Sequence, residues 1–178
     1  LDRSGLVGED GPTHSGNYDI AYLRCIPNMV ICTPSDENET RKLLTTAYLH
    51  NGPASVRYPR GTGPNSNVDK DLKPLKIGEA NIINEGSSEI VILNFGTLLN
   101  EANQISKELK ATLVDMRFVK PLDEKLLRKL FKKAKVFISI EDGSIMGGAG
   151  SAVQEFASKE NLNVRSILFG IPDKFIEH

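Results

Sequence analysis

The second half of the chain alternates short apolar runs with segments whose apolar residues recur at helical spacing. This alternation constrains the fold more than any other feature. Glu89–Phe95, Thr112–Met116, Val136–Ile140 and Val164–Phe169 have the length and composition of strands. Between these strands, apolar residues recur at intervals of three and four and predict three helices. Asp123 can cap the second of them. The apolar residues are Leu98, Ala102, Ile105 and Leu109 in the first helix, Leu126, Leu127, Leu130, Phe131 and Ala134 in the second, and Ala152, Val153, Phe156 and Ala157 in the third. Strands that alternate with helices favour βαβ units and a mostly parallel sheet.

The first third of the chain begins with a glycine-rich loop over residues 1–16. Met29–Thr33 and Ala54–Tyr58 are predicted strands, and Ser35 is a suitable N-cap for a helix over Asp36–His50. A short helix is also expected around Asn17–Cys25.

The segment Thr62–Lys76 is rich in Gly, Pro and Asn and has few apolar residues, which is typical of a linker. We therefore predict two α/β domains, residues 1–61 and 77–178, joined by a linker over 62–76. Each is expected to have a mostly parallel sheet flanked by helices. Ile77–Asn84 is predicted to add an antiparallel edge strand to the second sheet.

Composition narrows the class of function. The chain has 22 Lys and Arg against 23 Asp and Glu, so it lacks the basic excess of a generic nucleic-acid or membrane-surface binder. Its apolar runs are far shorter than the roughly 20 residues of a membrane span. The chain begins without an initiator Met, and we expect it to be a piece of a longer protein.

Two cysteines, Cys25 and Cys32, lie beside apolar neighbours and have no metal-ligand spacing. We expect both to be reduced thiols of the core in a cytosolic-type compartment, and we expect no metal site.

The stretch from Asp2 to Gly16 is the densest in chemically active residues. It combines an Arg, a His and three acids with four glycines and a proline. Glycines allow the backbone to approach a ligand closely, and a histidine suits proton transfer. A tight surface turn would have a similar composition, so these residues leave both interpretations open.

The chain closely resembles the 1-deoxy-D-xylulose-5-phosphate synthases, a family of transketolase-like thiamine-diphosphate enzymes. The resemblance extends over nearly the whole chain in blocks of the same order. These blocks are residues 2–16, Tyr22–Met29, Pro34–Glu39, Val56–Gly61, Leu93–Thr97, Val114–Asp123, Ile145–Ser151 and Gly170–Asp173.

The resemblance implies the later part of a pyrimidine-binding domain followed by most of a transketolase C-terminal domain. In this family pyruvate loses CO2, and its two-carbon remainder joins D-glyceraldehyde 3-phosphate. The product feeds isoprenoid, thiamine and pyridoxal synthesis. Thiamine diphosphate and Mg²⁺ are the implied cofactors, and a homodimer in a bacterial cytoplasm, or alternatively a plastid, is the implied setting. No nucleic acid or membrane partner is expected.

The family's diphosphate- and Mg²⁺-binding motif, Gly-Asp-Gly…Asn, has no counterpart in these 178 residues. The Glu that activates the pyrimidine ring lies upstream of Leu1 in the family pattern. The chain alone is therefore predicted to be inactive.

Four residues match active-site positions of the family. Arg3 and Arg60 resemble the pair that binds the phosphate of the aldehyde, because a guanidinium forms bidentate bonds to phosphate. Asp10 resembles the residue that orients a hydroxyl of this acceptor, and His14 resembles the catalytic histidine beside the cofactor. The simpler alternatives are a surface ion pair for Arg60, a turn cap for Asp10 and a structural role for His14.

Other readings remain open. Transketolase itself and the β subunit of a 2-oxoacid dehydrogenase share the fold, and a non-catalytic assembly module of the C-terminal type would need no active site. Gly147–Ser151 precedes a helix without the GxGxxG spacing, which favours close packing at a domain or subunit contact over nucleotide binding.

Overall fold

The computed structural model describes residues 1–177, and His178, to which no role was assigned, lies outside the described residues. The helices are α1 (Asp19–Arg24), α2 (Glu37–Leu49), α3 (Leu99–Glu108), α4 (Glu124–Phe131) and α5 (Ala149–Lys159). The strands are β1 (Val30–Cys32), β2 (Ala54–Val56), β3 (Asn81–Asn84), β4 (Ile90–Phe95), β5 (Thr112–Asp115), β6 (Phe118–Lys120), β7 (Val136–Ser144) and β8 (Arg165–Ile171).

The larger sheet has the strand order β3-β5-β4-β7-β8. Its last four strands are parallel, whereas β3 pairs antiparallel with β5 at the edge. The predicted α/β fold and its antiparallel edge strand are thus confirmed. The partner of β3 is β5 rather than β4, the strand that follows it directly.

The helices of the second half lie where the periodicity predicts them. Asp123 caps α4 by accepting a hydrogen bond from the backbone N of Leu126 at 2.9 Å. Leu127 and Phe131 are the buried residues of α4, four positions apart on one face.

A smaller sheet has the order β2-β1-β6 and combines the two halves of the chain. β1 is parallel to β2 and antiparallel to β6, with Ile31 opposite Lys120. The apolar core is also shared, because Ile20 and Ile31 pack in one cluster with Leu93 and Phe95 of β4. The two halves therefore hold a fixed position relative to each other.

Two local expectations are wrong. The N-cap of α2 is Asp36, which accepts a bond from the backbone N of Glu39 at 2.8 Å. Ser35 instead donates its hydroxyl to Asp115 at 2.7 Å, a bond between the two halves. Cys25 is exposed rather than in the core, whereas Cys32 is buried as expected.

The predicted linker lies along α2. Glu37 accepts hydrogen bonds from the backbone N of Asn65 at 2.9 Å and of Ser66 at 3.2 Å. Near its end, the backbone N of Leu75 donates to the hydroxyl of Thr46 at 2.7 Å. The predicted boundaries at 61 and 77 stay predictions, but the segment between them is held against a helix.

The glycine-rich turn before α5 contacts the first third of the chain. Arg24 donates to the carbonyl oxygen of Gly147 at 2.9 Å. The N-terminus of α5 binds the chain's own carboxylate, since Glu141 accepts from the backbone N of Ala149 at 2.8 Å and of Gly150 at 2.9 Å. Burial raises the pKa of Glu141 to about 7, although these two bonds oppose the shift.

Within residues 1–177 no helix combines the length and the apolar character that a membrane crossing requires.

Candidate functional site

The loop over residues 1–16 is closed at its base by two backbone hydrogen bonds. The N of Gly16 donates to the carbonyl oxygen of Arg3 at 2.7 Å, and the N of Gly5 donates to the carbonyl oxygen of Gly16 at 3.1 Å. A Cβ atom on Gly16 would lie 2.3 Å from the Arg3 oxygen, so a side chain cannot be accommodated there. The base of the loop is therefore tightly constrained.

The same base runs beside the chain that leaves β2. The N of Tyr58 donates to the carbonyl oxygen of Leu1 at 3.0 Å, and the N of Ser4 donates to that of Tyr58 at 2.9 Å. Arg3 precedes Ser4 directly, and Arg60 lies two residues beyond Tyr58. These bonds bring together two arginines that are far apart in sequence.

Asp10 lies between these arginines at the end of a 3-10 turn over Gly8–Asp10. Its Oδ2 accepts a hydrogen bond from Nη1 of Arg3 at 2.6 Å and lies 3.1 Å from Nε of Arg60. The Arg60 side chain is 52% exposed and that of Asp10 is 25% exposed, so solvent reaches the group. Nε of Arg3 also lies 3.4 Å from Oδ2 of Asp2, so the group holds two guanidinium groups and two carboxylates. Its affinity for anions therefore depends on the guanidinium donors and not on a net charge.

His14 lies apart from this cluster. It is exposed, its Nδ1 is 2.9 Å from the hydroxyl of Thr13, and its backbone N donates to the carbonyl oxygen of Gly11 at 3.1 Å. Among the described residues, Thr13 is the ring's hydrogen-bond partner. The structure thus joins Arg3, Asp10 and Arg60 and leaves His14 accessible on the same loop.

A cavity of about 410 Å³ opens beside Arg60, a size typical of small-molecule sites. It is bounded by the N-terminus of α2, by the segment after β2 and by Thr97. Its lining comprises Pro34, Ser35, Asp36, Glu37, Thr40, Tyr58, Pro59, Arg60, Gly61, Thr62, Gly63, Pro64 and Thr97. Arg60 therefore borders this cavity and the Asp10 cluster, whereas Arg3, Asp10 and His14 do not line the cavity.

A buried ion-pair network centred on Arg57 lies beneath the loop and was not predicted from the sequence. Arg57 is 2% exposed, and its guanidinium donates to both carboxylate oxygens of Asp19 at 2.7 and 2.9 Å, to Asp142, and to the carbonyl oxygen of Gly16 at 2.9 Å. Burial opposes the charge of Arg57, but Asp142 and Asp19 raise its pKa above the ordinary value. The available signal in the sequence was an arginine inside the predicted strand Ala54–Tyr58, where a buried charge requires a partner.

The implied cofactor requires side chains that bind its diphosphate and Mg²⁺. A magnesium-bound diphosphate needs several oxygen ligands close together. Within residues 1–177 no group of three or more His, Cys, Asp or Glu side chains is arranged to hold a metal. The described residues thus offer no such cluster for the metal at this end of the cofactor, whereas the two arginines fit a phosphate of substrate size.

Comparison with family models divides the chain in two. The model described as the transketolase pyrimidine binding domain matches residues 1–65, and that of the transketolase C-terminal domain matches residues 78–178.

Curated relatives are similar over the whole chain. 1-deoxy-D-xylulose-5-phosphate synthases from Pseudomonas fluorescens and Pseudomonas aeruginosa are each 54% identical over 178 residues. The corresponding protein of Stutzerimonas stutzeri is 55% identical over 179 residues. In each case the match covers 100% of this chain and 28% of the relative, so the chain spans little more than a quarter of their length.

Solved structures share the fold. A split gene transketolase, in an inactive beta4 tetramer, superimposes with a TM-score of 0.84 at 28% identity over 97% of this chain and 56% of its own. A transketolase from Campylobacter jejuni gives a TM-score of 0.65 at 19% identity over 99% of this chain and 27% of its own, a likeness of fold alone.

Proposed function

Because this chain belongs to the transketolase family, we propose that it is a segment of a 1-deoxy-D-xylulose-5-phosphate synthase and that it supplies the binding site for the acceptor phosphate. The identity of 54% over the whole chain to synthases of that name supports the assignment. The whole enzyme would join pyruvate, with loss of CO2, to D-glyceraldehyde 3-phosphate. Its product would serve isoprenoid, thiamine and pyridoxal synthesis.

The cofactor would bind mainly to parts of the enzyme outside this segment. Bound thiamine diphosphate, held with Mg²⁺, would supply the electron sink that decarboxylation of pyruvate needs. This segment would bind and orient the acceptor. We place the enzyme as a homodimer in a bacterial cytoplasm.

One observation carries the proposal, namely the carboxylate of Asp10 held between Arg3 and Arg60. An anion already occupies the space between the two guanidinium groups, so the site is preorganised for a second, more highly charged one. A phosphate would take over donors of both arginines. The displaced carboxylate of Asp10 would then be available to accept a hydrogen bond from a hydroxyl of the acceptor.

His14 would act on protons at the reacting end of the acceptor. Its ring is exposed on the same loop and lies 2.9 Å from the hydroxyl of Thr13, which leaves it accessible to a substrate. A positioned histidine can hold or move a proton during carbon–carbon bond formation.

The test uses the full-length synthase that carries this segment. A charge-assisted hydrogen bond contributes about 1.5–3 kcal/mol, so Arg60→Ala or Arg3→Ala should raise KM for D-glyceraldehyde 3-phosphate by about one to two orders of magnitude. KM for pyruvate should change little.

Arg128→Ala is a matched control. Arg128 is also partly exposed and binds the carboxylates of Glu124 and Glu160, far along the chain from the loop. It should leave both KM values unchanged. An equal loss for pyruvate and the acceptor in Arg60→Ala, or no loss for either, would contradict the assignment.

A further inference from the structure

Asp142 lies at the point where the C-terminal half meets the base of the acceptor loop. We propose that it is a positioning residue that fixes Arg3 and Arg60 through Ser4 and Arg57 without touching the substrate. The inference rests on the proposed function and deepens it. It gives the C-terminal half a part in phosphate recognition.

Three side chains donate to the carboxylate of Asp142. Arg57 forms an ion pair with Oδ1, and the hydroxyls of Ser4 and Thr97 each lie 3.3 Å from Oδ2. Asp142 belongs to β7, and Thr97 follows the end of the neighbouring strand β4. Its side chain is 11% exposed, so water screens these contacts little. Asp142 therefore links two strands of the larger sheet to two residues of the first third.

The loop base rests directly on this residue. A Cβ atom on Gly5, whose φ is +73°, would lie 3.2 Å from the Cβ of Asp142. Ser4 and Gly5 follow Arg3 in sequence. A displacement of the Asp142 side chain would therefore reach the backbone of Arg3 within one or two residues.

The second connection runs through Arg57 to Arg60. Arg57 is three residues before Arg60, and its guanidinium also binds the carbonyl oxygen of Gly16, which closes the loop. Asp19 forms the other ion pair of Arg57. Without the charge of Asp142, Arg57 would keep Asp19 but lose the contact that connects it to the C-terminal half.

The consequence for binding follows from geometry. Two arginines that bind one phosphate must present their donors within a fraction of an ångström, and a displacement of about 1 Å can cost about a hundredfold in rate. Asp142→Asn retains an oxygen that can accept from Ser4 and Thr97 but removes the charge that holds Arg57. The variant should thus loosen the arginine pair and leave the other steps of the reaction in place.

The experiment compares two acceptors in the full-length synthase that carries this segment. The readout is the ratio of kcat/KM for D-glyceraldehyde 3-phosphate to kcat/KM for D-glyceraldehyde, which lacks the phosphate. Asp142→Asn should lower this ratio about tenfold, because a small displacement of the two arginines weakens binding of the phosphate. A purely structural role would lower both kcat/KM values together and leave the ratio unchanged.

Ser4→Ala provides a second, milder variant that removes one hydroxyl and buries no unpaired charge. It should lower the ratio about threefold, in line with one weakened contact. If Asp142→Asn does not fold, this variant decides the outcome. An unchanged ratio in Ser4→Ala would then overturn the proposal.

Glu39→Gln is the matched control. Glu39 forms another ion pair between the two halves, with Arg117 at 2.7 and 3.0 Å. Its variant should lower the melting temperature and leave the ratio unchanged. A fall of the ratio in Glu39→Gln equal to that in Asp142→Asn would overturn the proposal.

The two proposals fail differently. If Arg60→Ala leaves the ratio unchanged, the assignment of the phosphate site itself is wrong. If Arg60→Ala abolishes the preference for the phosphorylated acceptor but Asp142→Asn does not reduce it, only the role of Asp142 is refuted.

Discussion

Asp115 should contribute a fall in the stability of this chain as the pH rises from 5 to 8, and Asp115→Asn should remove that contribution. The residue is 1% exposed, and its Oδ2 accepts from the hydroxyl of Ser35 at 2.7 Å, while Oδ1 has no partner among the described residues. Burial raises the pKa of Asp115 from 3.8 to about 7, and the charge of Glu39 adds to the rise. Ser35 and Arg117 oppose it.

The sign follows from the two states of the chain. Below pH 3.8 the carboxyl of Asp115 is protonated whether the chain is folded or unfolded. Between pH 3.8 and about 7 the unfolded chain releases this proton and the folded chain keeps it. The free energy of unfolding then decreases by about 1.4 kcal/mol per pH unit.

Two of the pH units between 5 and 8 lie below the folded-state pKa. The unmodified chain should therefore lose about 3 kcal/mol through Asp115 over this range. Asn cannot ionise, yet its amide oxygen can still accept the bond from Ser35. The free energy of unfolding of Asp115→Asn minus that of the unmodified chain should therefore be about 3 kcal/mol larger at pH 8 than at pH 5.

Urea unfolding followed by circular dichroism at pH 5 and pH 8 measures this difference. Glu141, whose pKa is also raised to about 7, titrates in both proteins and cancels in the comparison. Asp69→Asn is the control, because Lys42 and Asn38 lower the pKa of the exposed Asp69, which stays ionised across this range. If Asp115→Asn changes the free energy of unfolding by the same amount at pH 5 and at pH 8, this reasoning is refuted.

Two further predictions concern function. His14→Ala in the full-length enzyme should lower kcat by about 10²–10⁴-fold, as expected for a general acid–base group, and keep the melting temperature within about a few degrees. A collapse of stability along with activity would make His14 a structural residue. The isolated chain should bind thiamine diphosphate with Mg²⁺ no better than about millimolar, since about three charge-assisted contacts at about 1.5–3 kcal/mol each are missing. Calorimetry that gives micromolar affinity would contradict this division of labour.

The larger sheet was predictable because its signals are local. The apolar run that becomes β4 and the spacing of Leu127 and Phe131 in α4 each specify one element without reference to distant parts of the chain. Asp123 caps α4 through a residue three positions on, which is also a local relation. Such patterns identify elements and their order.

Elements that depend on distant partners were missed or shifted. β6 has three residues, of which Phe118 and Val119 are apolar, and this is too short a pattern to predict a strand without its partner β1. Ser35 and Asp36 are both good N-caps, and the choice falls on Asp36 because Ser35 binds Asp115 across the interface. Neither outcome can be derived from neighbouring residues.

The sequence nominates the residues of the candidate site but does not predict their geometry. Arg3, Asp10 and Arg60 were named from motifs, yet their contact depends on the bonds that Tyr58 makes with the start of the chain. Arg57 lies within the predicted strand Ala54–Tyr58, but its burial depends on ion pairs with Asp19 and Asp142, which are distant in the sequence.

The most direct measurement replaces the corresponding stretch of the Pseudomonas aeruginosa synthase, which is 54% identical, with this chain. The hybrid, loaded with thiamine diphosphate and Mg²⁺, is assayed for product from pyruvate and D-glyceraldehyde 3-phosphate. We predict that it forms 1-deoxy-D-xylulose 5-phosphate and that Arg60→Ala in the hybrid suppresses this at low acceptor concentration. A folded, cofactor-loaded hybrid that forms no such product would contradict the assignment of this chain to the synthase.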